Sequence, residues 1–112
     1  MDRKELIRKY KATPRPAGVY RILNTRTGRA LVGTSVDVPA MLNRQRLQLR
    51  TGGHPNHTLQ HDWNAEGADA FTFEVLDTLT PGDDPAADLS EELRLLETLW
   101  LEKLALTDEN RY

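Results

Sequence analysis

The apolar positions change period along the chain, and each change marks an element. Val19 to Asn24 and Arg29 to Gly33 are short runs rich in β-formers on either side of Thr25-Arg26-Thr27-Gly28, which predicts a hairpin. If Asn24 faces Arg29 across that turn, Tyr20 faces Gly33 and Ile22 faces Leu31. Alternation then puts all four of those side chains on one side of the sheet. A tyrosine hydroxyl beside a glycine leaves room for another group to approach.

Beyond the hairpin the period lengthens. Val38, Leu42 and Leu49 recur at helical spacing from Pro39 to about Arg50, with Ser35 or Asp37 as the cap and Thr51-Gly52-Gly53 as the stop. Met41 and Gln45 fall in the same arc, so Gln45 is a polar group aimed inward. Arg44 lies on one flank of the stripe, with Arg46 and Arg50 on the other. Leu59 and Trp63 anchor a second helix from Asn56 to Glu66, closed by Gly67. Phe71-Thr72-Phe73-Glu74-Val75 returns to strict alternation and predicts a third strand. The last helix is expected from Asp88, with Glu91 in capping-box spacing, to about Leu104. Asp2 to Lys11 suits a turn or two of helix that Thr13-Pro14-Arg15-Pro16 ends, and Pro81 to Pro85 reads as a loop. The organisation is a basic lead-in over 1–16 and one domain over 17–112. Its class is α/β of the α+β kind, with a small three-stranded antiparallel or mixed sheet flanked by helices.

Length and composition narrow this further. A chain of 112 residues supports one core. Without cysteine it has neither a disulfide framework nor a thiolate zinc site. No signal-like or membrane-length apolar run interrupts it, so a soluble cytoplasmic protein is expected. The net charge of -2 conceals a segregation: residues 1–53 carry +9 (12 basic, 3 acidic) and residues 54–112 carry -11 (3 basic, 14 acidic). A basic half can attract phosphate, and an acidic half can repel it or meet a protein partner.

Several residues do not suit a plain core. Leu89, Leu93, Leu96, Trp100 and Leu104 form one apolar arc of the last helix, and Glu97 falls inside it. A carboxylate there needs an arginine, a path to water, or a divalent cation such as Mg2+ or Mn2+. His57 and His61 stand one helical turn apart, the spacing of a zinc pair, but only Asp62 offers a further ligand, which favours exposed or hydrogen-bonding histidines. His54 follows Gly52-Gly53 where a loop feeds a helix, a place where phosphate can be met. Tyr20 taken alone is a half-buried strand aromatic.

Together, Gly18-Val19-Tyr20, Leu31-Val32-Gly33-Thr34-Ser35, Gly53-His54-Pro55-Asn56, Leu59-Gln60, Trp63-Asn64, the Phe71 to Leu76 strand and Glu97-Thr98-Leu99-Trp100 resemble a GIY-YIG nuclease domain. The match runs from Ala17 onward in order and spacing. The resemblance implies a three-stranded sheet flanked by helices and hydrolysis of a DNA phosphodiester with one divalent metal. It makes Tyr20 the tyrosine that helps activate water and Glu97 the metal ligand, with His54 a further candidate at the site.

The departures from the family pattern change the expected activity. Leu31 stands where the second motif has tyrosine, Met41 where an arginine stabilises phosphate charge, and Gln45 where a histidine is often found. Asn110-Arg111-Tyr112 stands where the family often has a tyrosine-asparagine pair. Losing one preorganised donor typically costs about 10²- to 10³-fold in rate, although such losses do not multiply within one catalytic unit. The leading expectation is therefore a DNA-binding domain acting through Arg21, Arg44, Arg46, Arg50 and the basic N-terminus, with cleavage lost or strongly impaired. A metal-dependent endonuclease with an altered site and a protein-interaction or transcription-regulatory module remain the alternatives.

Overall fold

The computed structural model describes residues 16–79 and 88–112. The expected N-terminal helical turns, nearly all of the lead-in and the Pro81 to Pro85 loop lie outside them. The described elements are β1 (Gly18–Asn24), β2 (Ala30–Ser35), α1 (Val38–Thr51), α2 (His57–Glu66), a 3-10 turn (Ala68–Ala70), β3 (Phe71–Thr78) and α3 (Ser90–Lys103). The sheet has the order β2-β1-β3 and is antiparallel throughout, which settles the choice between antiparallel and mixed.

The hairpin has the register read from the sequence, with Tyr20 opposite Gly33 and Ile22 opposite Leu31. Its turn is fixed by Asn24, whose side-chain oxygen accepts from the Arg26 and Thr27 amides at 3.0 and 3.4 Å. Gly28 takes φ 80°, which a side chain would resist. On the β3 side the register slips between Val19 and Tyr20, so Val19 faces Asp77 while Tyr20 faces Val75. A Cβ at Gly18 would collide with the Asp77 carbonyl at this bulge. Pairing beyond the bulge carries β3 on to Thr78, past the five residues whose alternation marks it in sequence.

Two apolar clusters lie on the face shared by Tyr20, Ile22 and Leu31. One gathers Ile22, Leu49, Leu59, Ala70 and Phe71; the other gathers Tyr20, Val38 and Leu42. Leu31 and Phe73 pack against both. Burying such side chains contributes about 1.5–3 kcal/mol each, which is why the stripes of α1 and α2 decide where these helices sit. Asp37 caps α1 by accepting from the Ala40 amide at 3.3 Å, and Gly52 ends it in the left-handed region.

Two elements differ from expectation at their ends. Helix α3 begins at Ser90 rather than Asp88, because the Asp88 carboxylate accepts from the Ser90 amide and hydroxyl instead of closing a capping box with Glu91. The C-terminal residues return to the free edge of β2: the Ala30 amide donates to the Asn110 carbonyl, and the Tyr112 amide donates to the Ala30 carbonyl. That edge is thereby partly covered. Among the described residues no helix is long and apolar enough to cross a membrane.

Candidate active site and nucleic-acid surface

Strand β1 presents Tyr20 to the middle of α1, and the loop before α2 brings His54 to the same place. Tyr20 is 5% exposed and its ring passes directly over Gly33. The inward polar position on α1 fills the space beyond it. Gln45 Nε2 donates to the Tyr20 hydroxyl at 3.3 Å and to Met41 Sδ at 3.6 Å, while its Oε1 meets His54 Nε2 in a short hydrogen bond.

His54 is itself fixed on every side. Its Nδ1 accepts from the Asn56 amide at 3.0 Å, and its own amide donates to Gln60 Oε1 at 3.1 Å. Gln60 in turn donates to the Leu49 carbonyl and to Asn64 Oδ1, both at 3.0 Å, so α1 and α2 are joined through this network. Both ring nitrogens of His54 are used internally. A pair of exposed histidines, His57 and His61, lines a cleft of about 480 Å³ together with Gly52, Gly53 and Asn64.

Burial, first, raises the Tyr20 phenol above its ordinary range. The Gln45 bond opposes this and the Glu97 carboxylate reinforces it. Tyr20 is therefore a neutral phenol at neutral pH. Burial also lowers the His54 imidazole below its ordinary value. His54 is neutral in the same range.

Glu97 reaches the vicinity of Tyr20 from α3, which packs on β2 and β1 with Leu93 buried. The helix is tied further by Trp100 Nε1 donating to Asp77 Oδ2 at 3.1 Å. Glu97 is half-buried and has no hydrogen bond or ion pair among the described residues. Thus the arginine partner that would make it a structural salt bridge is not found there. A lone carboxylate with access to water suits Mg2+ or Mn2+, which keep several waters and take one or two carboxylates. Among the described residues no group of three or more acidic, histidine or cysteine side chains forms a closed metal cage.

Leu31, Met41 and Gln45, the positions at which the sequence departs from the resembled pattern, are apolar or amide in character. Leu31 joins the two clusters of the core. Met41 packs against Tyr20, Val38 and Leu42 and offers only a weak sulfur acceptor.

The four arginines expected to meet phosphate separate into two groups. Arg44 and Arg50 are exposed on α1 and make no ion pair among the described residues. Arg46 lies over the Phe73 ring at 4.5 Å, and Arg21 pairs with Glu74 at 2.5 Å across β1 and β3. The Arg21 guanidinium is thus engaged within the sheet. Sequence reasoning assigned no hydrogen-bonding role to Asn24, Asn56, Gln60 or Tyr112. The signals were a polar residue at the strand-to-turn junction, Gln60 and Asn64 at helical spacing, and an aromatic residue at the last position.

Among solved structures, the catalytic domain of the homing endonuclease I-TevI is similar to this chain at a TM-score of 0.67 and 24% identity, over 86% of this chain and 95% of that one. A mutant of the catalytic domain of intron endonuclease I-TevI is similar at a TM-score of 0.67 and 23% identity, over 87% and 91%. No protein-family model and no curated protein matches the chain.

Proposed function

We propose that this chain, which has the fold of the GIY-YIG catalytic domain, is a DNA-binding domain whose phosphodiester cleavage is lost or strongly impaired. The observation that carries the reading is the Tyr20-Gln45-His54 chain. It keeps a phenol at the family position but surrounds it with an amide, a thioether and a leucine in place of groups that activate water or stabilise phosphate charge. The fold neighbours are endonuclease domains, which supports DNA as the partner. Arg44 and Arg50 supply exposed positive charge on the helix that carries Gln45. A cytoplasmic location, within reach of DNA, belongs to the same proposal.

Glu97 is the residue that would hold Mg2+ or Mn2+. When bound, such an ion supplies a Lewis acid for phosphate charge and lowers the pKa of a coordinated water. The Glu97 carboxylate beside Tyr20, unpartnered among the described residues, is also the observation that favours the second reading, a metal-dependent endonuclease with an altered site. A protein partner for the acidic C-terminal half has only its charge in support.

Electrophoretic binding across a salt series tests the proposal. Duplex and branched DNA should be retarded at low salt, with affinity falling steeply as salt rises. Absence of binding at low salt overturns it.

A further inference from the structure

The hydrogen bonds that meet at Tyr20 have a fixed direction, set by a group that cannot reverse. A backbone amide only donates, so the Asn56 N–H requires a lone pair on His54 Nδ1. The neutral imidazole therefore carries its proton on Nε2. That proton points at Gln45 Oε1, which in turn aims the Gln45 amide group at the Tyr20 oxygen and at Met41 Sδ. The sulfur is a second, independent anchor for this orientation, because it accepts from an N–H and offers nothing to a carbonyl oxygen. The Tyr20 oxygen receives a hydrogen bond on one side, and its own proton has to point elsewhere.

We infer that Asn56, His54 and Gln45 form a one-way relay that holds the Tyr20 hydroxyl as an outward hydrogen-bond donor, and that the acceptor it serves is a phosphate oxygen of bound nucleic acid. His54 and Gln45 are positioning residues, acting through Tyr20. The role differs from that of a base: a phenol that is buried and sits near the Glu97 carboxylate is a poor place to generate a phenolate, and the Gln45 bond offsets this only in part. It is a good place to hold a neutral donor, since donation to an ionised acceptor is stronger than donation to a neutral one. Gly33 adds the space, because its missing side chain is what lets the phenolic oxygen lie where it does. The donor role rests on the DNA-binding reading; the direction of the relay does not.

Two measurements on the full chain test it. Long-range ¹⁵N correlation of the histidine rings should show His54 with Nε2 protonated and Nδ1 bare. A His54 ring protonated on Nδ1 overturns the relay. Affinity for a short DNA duplex is then compared among wild type, Tyr20→Phe, Gln45→Glu and the double variant. Gln45→Glu replaces the amide donor with a carboxylate that only accepts, so the Tyr20 proton turns inward. Each single variant should lose roughly tenfold or more in affinity, and the double should lose little beyond the larger single loss. Wild-type affinity in Gln45→Glu, or losses that multiply, overturns the donor role. Wild-type protein that binds no duplex removes both the DNA-binding reading and the donor role, while the tautomer spectrum still decides the direction of the relay.

Discussion

Tyr20 and Gly33 face each other across the hairpin so closely that a Cβ at position 33 would stand 2.5 Å from the phenolic oxygen. Gly33→Ala therefore forces the ring of Tyr20 off Gln45 while leaving the strand pairing available. Overpacking of this kind costs about 1–3 kcal/mol. The expected outcome is a folded variant by circular dichroism with a lower melting temperature and the DNA affinity of Tyr20→Phe. Wild-type affinity in Gly33→Ala would show that the position of the ring does not matter.

Arg44 and Arg50 are the exposed cations of α1, whereas Arg21 is held by Glu74. Removing Arg44 and Arg50 together should reduce the slope of log affinity against log salt by about two, one for each phosphate that is no longer neutralised. Arg21→Ala should leave that slope nearly unchanged. Titrations at several salt concentrations separate the two cases.

Tyr112 donates to Asp62 at 2.6 Å and accepts from Asn24 at 3.1 Å, joining the C-terminus to α2 and β1. Tyr112→Phe removes both bonds and leaves Asn24 short of a partner, a loss of about 1–3 kcal/mol that chemical denaturation would register. Burial, followed by the Asp62 contact, pushes this phenol up to about 12 from 10.0. The folded value exceeds the unfolded one, so the associated stability is complete below the ordinary tyrosine range and is lost as pH rises through the interval between the two. Alkaline unfolding should be shallower in Tyr112→Phe.

His54 gives the opposite dependence. Its folded pKa lies below the ordinary histidine value because burial disfavours the cation. Stability is complete above about pH 6.5, the unfolded value, and is lost as pH falls toward the folded value. Urea midpoints should drop on mild acidification, and His54→Gln should flatten that drop.

Most of the fold is legible in the sequence for a local reason. Alternation and a turn fix a hairpin's register, which places Tyr20 opposite Gly33, and the stripe of Val38, Leu42 and Leu49 orients α1 in the same way. The extension of β3 past its bulge and the return of residues 110–112 to β2 depend on pairing between distant segments, which no local pattern encodes. At the candidate site, Gln45 is legible as an inward polar group and Glu97 as a carboxylate in an apolar arc. Their surroundings are not, because a backbone amide such as that of Asn56 leaves no trace in side-chain spacing. Arg21 illustrates the converse: its charge is plain in sequence, but Glu74 lies 53 positions away and balances it.

Binding without efficient cleavage is the central claim, and one gel addresses both halves. Supercoiled plasmid is incubated with the chain and Mn2+ at low salt, and samples are run before and after removal of protein. The expected result is plasmid that is retarded with protein present and still supercoiled once it is removed. Unretarded plasmid, or efficient nicking that disappears in Glu97→Ala, would contradict it.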